Sequence, residues 1–153
     1  MQFRLLAATF GAALALALAL PAAAQTDPPA EVLAKWGMLG TWAVNCNTPP
    51  SRGNGYSTYE AEGSTEAVLR RDFGAELERD RSQIQAARIA EDGMLHLTIN
   101  LTSIGQVRTN VFMKVGAVGM RAFENRGPDG SYTVRDGKFL HNGLPTATQY
   151  RCR

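Results

Sequence analysis

Residues 95–102 read Leu-His-Leu-Thr-Ile-Asn-Leu-Thr. Leu95, Leu97, Ile99 and Leu101 fall on one side of an extended chain, and His96, Thr98, Asn100 and Thr102 on the other. A strand buried on one face explains this period of two, and a helix does not. Ser103-Ile104-Gly105 separates this run from Gln106–Val115. There Val107, Val111, Met113 and Val115 share one phase, and Gln106, Arg108, Asn110 and Lys114 share the other. The pair reads as a hairpin with the apolar phase of each strand on the core face.

The same grammar extends in both directions. Asn54-Gly55, Asp92-Gly93, Asp129-Gly130, Asp136-Gly137 and Asn142-Gly143 are dipeptides that accept the left-handed backbone of tight turns. Between them lie further short strand candidates: 41–46, 55–61, 67–73, 82–90, 118–125, 132–135, 138–141 and 146–152. In 82–90 the apolar phase slips between Ala86 and Ala87, as at a bulge. Upstream, 31–38 has the spacing of two helical turns, with Pro28 or Pro29 near the start and Val32, Leu33 and Trp36 on one face. The expected fold is all-β: an antiparallel meander forming a small barrel or sandwich of about 8–10 short strands, with a short N-terminal helix.

Composition agrees. The 153 residues suit one domain, and 16 Lys+Arg against 14 Asp+Glu lack the basic excess of a nucleic-acid binder. The start is different in kind. After Met1–Arg4 comes the Ala/Leu-rich run Leu5–Leu20, then Pro21 and Ala22-Ala23-Ala24, the order of a secretory signal peptide cut after Ala24. The organisation expected is a signal peptide over 1–24, a lead-in with a short helix over 25–38, and a single β domain over 39–153. That implies a periplasmic or secreted protein with no membrane span after cleavage.

Export changes the reading of the two cysteines, Cys46 and Cys152. In an oxidising compartment an even pair is most simply a disulfide, here joining the opening and closing strands. Alternation puts Cys46 with Trp42 and Val44, and Cys152 with Thr148 and Tyr150, on the core face, so Arg151 is expected to face away from it. Direct antiparallel pairing of the two cysteines would leave Trp42 beyond the chain end. The closure is therefore expected to be either parallel, with an odd number of barrel strands, or made across neighbouring ends.

Gly40-Thr41-Trp42 opening the first strand, followed by a meander and Arg151 on the last, resembles the lipocalin and avidin group of ligand-binding barrels. The resemblance implies a tryptophan, Trp42, closing one barrel end beneath a terminal-strand arginine, Arg151. The layout of LGTWAVNC, NTPPSRGNGYSTY and DGKFLHNGLPTATQYRC also resembles a group of small exported bacterial proteins without an assigned activity. That likeness implies a single domain and the Cys46–Cys152 bond.

No constellation supports catalysis, a cofactor or a metal. His96 and His141 lie 45 residues apart, without the clustered ligands a metal needs, and read as surface histidines. Glu76, Glu78 and Asp80 alternate with Arg79 and Arg81, as on a solvated, self-neutralising hairpin. The chain reads as non-enzymatic. Residues 47–55, NTPPSRGNG, read first as a structural connection and second as a recognition loop on a stiff scaffold. Tyr56 and Tyr59 follow it as contact residues. The first functional expectation is binding of a small apolar ligand, with Trp42, Tyr56 and Tyr59 as ligand-binding residues. The alternative is a protein-interaction or protease-inhibitor-like module of the cell envelope, and the filling of the barrel interior separates the two.

Overall fold

The computed structural model describes residues 27–75 and 77–152; the expected signal peptide and its cleavage site lie outside the described residues. Helix α1, Pro29–Trp36, is followed by ten strands: β1 Gly40–Ala43, β2 Tyr56–Glu62, β3 Glu66–Asp72, β4 Asp80–Ile89, β5 Leu95–Leu101, β6 Gln106–Val115, β7 Gly119–Arg126, β8 Tyr132–Arg135, β9 Lys138–Phe139 and β10 Gln149–Arg151. Each strand pairs antiparallel with its neighbours. β10 bonds to β1 on one side and to β7 on the other, so eight strands close a barrel. β8 and β9 continue outward from the second half of β7, where Asn125 pairs with Val134.

Closure thus follows neither of the routes expected from the cysteines. It is an antiparallel ladder in which Trp42 faces Arg151 and Ala43 faces Tyr150. Direct partners in a ladder share a face, so Arg151 stands with Trp42 on the inner side, and Tyr150 points outward, 47% exposed. The chain leaves β1 after Ala43, and Val44 is 39% exposed. Both thiols consequently sit on the outer side rather than the core face.

β5 carries the core as its pattern dictates: Leu95 and Leu97 are 0% exposed and Ile99 1%. Around them pack Tyr59, Ala67, Leu69, Ile84, Ala87, Phe112 and Met120. These side chains lie against one another with almost no surface left open, so this half of the interior is filled. α1 covers one side of one barrel end. Pro29 takes the first helical turn, where its missing N–H costs nothing. Ala30 N–H donates to Thr65 in the β2–β3 turn, and Trp36 Nε1 donates to Gly93 O in the β4–β5 turn at 2.8 Å. Leu33, Trp36 and Met38 thereby join the core.

β6 corrects the expected phase. The link from β5 is a 3-10 turn, Thr102–Ile104, ended by Gly105 in the left-handed region. It sets Leu101 opposite Gln106, Ile99 opposite Arg108, Leu97 opposite Asn110 and Leu95 opposite Phe112. The even-numbered residues therefore face inward, and Val107, Val111, Met113 and Val115 do not. Arg108, 8% exposed, is tolerated because it donates to Asn125 Oδ1 at 2.5 Å and Gln106 Oε1 at 3.0 Å, while Asn125 Nδ2 donates to Asn110 Oδ1 at 2.6 Å. Mutually satisfied polar groups remove most of the burial penalty. The bulge in β4 falls between Ile84 and Ala86, slightly before its expected place.

The arginine-rich stretch is only partly a solvated hairpin. Arg70 pairs with Glu60, Arg79 with Asp72 and Arg81 with Glu62 on exposed surface. Arg71 and Asp80 instead face each other on the inner side, bonded through Nε to both carboxylate oxygens at 3.0 and 3.1 Å. Burial pushes the Asp80 carboxyl up, but hydrogen bonds from Arg71 and Ser103 and the guanidinium charge outweigh it and hold the group below its ordinary range. Its stabilisation is present above the unfolded carboxylate value, roughly 3.9, and is lost as pH falls through the folded value. Denaturant titrations of the wild type and Asp80→Asn across the acid range are expected to show a shallower loss of stability with acid in the variant; parallel curves would remove Asp80 from the linkage.

Candidate functional site

The two cysteines bond, with 5.3 Å between α-carbons across a separation of 106 residues. Cys152 N–H donates to Thr41 O at 2.8 Å, which places Cys152 beside β1. Cys46 reaches it because residues 44–46 turn back over the outer face of β10, where Cys46 Sγ lies 3.6 Å from Tyr150 O. The bond therefore ties the start of the 47–55 loop to the last strand.

That loop is held along its whole length. Asn54 is its internal strut: Oδ1 accepts from Asn45 N–H at 2.8 Å, and Nδ2 donates to Asn45 O at 2.8 Å and to Thr48 Oγ1 at 3.0 Å. Ser51 and Asn54 exchange backbone hydrogen bonds at 3.1 and 3.2 Å, making a two-residue turn with Arg52 and Gly53 at its tip. The Tyr56 hydroxyl donates to Thr48 O at 2.8 Å and Cys46 O at 3.2 Å. On the far side the loop rests on the β3–β4 connection. A Cβ on Gly74, whose φ is +92°, would stand 2.7 Å from Pro50 O, so only glycine admits this contact. Ser51, Arg52 and Gly53 remain exposed.

The three residues expected to bind ligand have separate places. Tyr56 is a loop anchor. Tyr59 is 3% exposed inside the barrel, its ring meeting Phe112 edge-on at 6.2 Å; burial pushes its hydroxyl well above the ordinary tyrosine range, opposed by the charge of Arg71. Trp42 is 6% exposed at the helix-capped end, and its Nε1 donates to Met38 O at 2.7 Å. No cavity brings the three together among the described residues. Sequence reading missed Tyr150 and Val44, because both were placed in the core phase of strands that end earlier or run in the opposite phase.

His96 lies on the outer face of β5. Arg88 Nη2 lies 3.1 Å from its Nδ1, a contact that, since a guanidinium only donates, suits the tautomer with its proton on Nε2. Burial first, then the Arg88 charge, lowers its pKa. His141 sits beside Phe139, and no group of three or more metal-ligating side chains is present among the described residues.

Replacing Asn54 by Ala removes the strut and leaves the barrel core untouched. Amide exchange at residues 45–54 is expected to rise, with a stability loss of about 1–3 kcal/mol; unchanged exchange would show that the loop holds itself by other means. The Cys46→Ala/Cys152→Ala protein is expected to lose about 2–5 kcal/mol in urea unfolding, and a loss near zero would mean that the β1–β10 ladder closes the barrel unaided. No protein-family model, curated protein or solved structure matches this chain.

Proposed function

We propose that this chain is an exported, non-enzymatic interaction module that docks a partner protein through the stapled 46–54 loop and the outward residues beside it. The observation that carries the reading is the loop's pre-organisation: a disulfide, an asparagine strut and a tyrosine anchor hold an exposed turn with Arg52 at its tip. A loop ordered before binding loses little conformational entropy on binding. Tyr150 and Val44 flank the disulfide on the outer face, and tyrosine and arginine are the residues that most often dominate protein interfaces.

The filled interior weighs against an apolar ligand inside the barrel. The leucine-lined half has no room, and the other half is lined by Arg71, Asp80, Arg108, Asn110 and Asn125. The Trp42–Arg151 register supports the lipocalin-like reading of the barrel end. The disulfide supports an oxidising compartment, and no described helix is long and apolar enough to cross a membrane.

The test is photocrosslinking from position 52 or 150 of the full chain in the producing cell. A discrete adduct is expected at each position, reduced at least tenfold by Asn54→Ala, which loosens the loop without altering either crosslinking position. Adducts that are absent at both positions, or indifferent to Asn54→Ala, would refute the docking surface.

A further inference from the structure

α1 bridges the β2–β3 and β4–β5 turns and packs chiefly on β4, β3 and β2. It therefore covers only one side of its barrel end. On the other side, toward β6, β7, β10 and β1, a cleft of about 290 Å³ remains, walled by Trp36, Trp42, Lys114, Val118, Gly119 and Arg151.

The chemistry of this wall is one-sided. Lys114 Nζ stands 5.2 Å from the centre of the Trp36 ring. Arg151 faces Trp42 across the ladder and lies over Gly40, where a Cβ would meet its Nε at 3.0 Å. Neither cation makes an ion pair among the described residues, and no acidic residue lines the cleft. Both indole N–H groups are already spent on backbone carbonyls, and with Trp36 4% and Trp42 6% exposed the tryptophans present only ring edges to the cleft and no donor. Val118, 67% exposed, extends that surface to the rim.

We infer that this cleft binds a small amphiphilic carboxylate, its anionic head between Lys114 and Arg151 and its apolar body along Val118 and the indole edges beneath it. Charge-assisted hydrogen bonds are the strong ones, and here two cations stand ready for them above an apolar floor. The alternative, two cations that merely cap a structural tryptophan pair, predicts no preference for the charged form of a ligand. This site lies at the helix-capped end and is independent of the docking loop.

The chain has two tryptophans, and both wall the cleft, so intrinsic fluorescence reports on it directly. Octanoate titrated into the full mature chain is expected to shift the emission saturably, with 1-octanol at least about tenfold weaker. Lys114→Gln and Arg151→Gln are each expected to weaken octanoate about tenfold, while Arg52→Gln, at the docking loop, leaves it unchanged. Arg151 also packs on Gly40, so Lys114→Gln is the decisive variant, checked for an unchanged melting temperature. Octanol binding as well as octanoate, or Lys114→Gln binding octanoate like the wild type, would overturn the site without touching the docking surface.

Discussion

A three-residue strand closes this barrel. Gln149–Arg151 bonds to Trp42 and Ala43 of β1 on one side and to Gly119 and Met120 of β7 on the other, leaving neither of those strands an open edge there. Unpaired strand edges recruit foreign strands, so the fold depends on so short an element staying in place. The disulfide supplies the tether: Cys152 follows β10 immediately and is bonded to the chain leaving β1. β7 makes the arrangement possible by dividing its length, with its first half closing the barrel and its second half carrying β8 and β9.

The interior is divided along the barrel axis. Toward α1 it is apolar and filled, with the helix contributing Leu33, Trp36 and Met38 as a stopper. Toward the other end it is polar, with Arg71 against Asp80 and Arg108 within a set of amides. A buried guanidinium with good hydrogen-bonding partners gives less net stability than a packed leucine, so this half gains less from burial per residue. Its polar lining also leaves the outer face and the helix-capped end as the places where this barrel offers binding chemistry.

Those two places differ in kind. The 46–54 loop is stapled flat across the outer wall and presents a turn whose shape is set before any partner arrives. The cleft beside α1 exists because an eight-residue helix is too short to span the barrel end, and the cations on its rim come from β6 and β10. The docking and the carboxylate binding proposed above would share one physical condition: an oxidised disulfide holding β10, which carries both Tyr150 on its outer face and Arg151 on its inner one.

Local chemistry determined much of this molecule. The alternation in 95–101, the proline-started helix and the turn dipeptides at Gly93, Gly130, Gly137 and Gly143 are short-range signals present in the fold. Asn54-Gly55 is not a left-handed turn, because the chain turns just before it, at Arg52-Gly53. The expected Cys46–Cys152 bond is present as well. Period two, however, says only that a strand has two faces and not which of them is inside. In β6 the apolar phase faces out, because the 3-10 turn at Thr102–Ile104 sets the register and the inward Arg108 and Asn110 find partners on β7 and β8, far away in sequence. The side on which the thiols meet, the companionship of Arg151 with Trp42, and the split of the tyrosines into anchor and core likewise rest on pairings between distant strands. Register between the first and last strands is a long-range hydrogen-bonding choice, and only the closed barrel makes it.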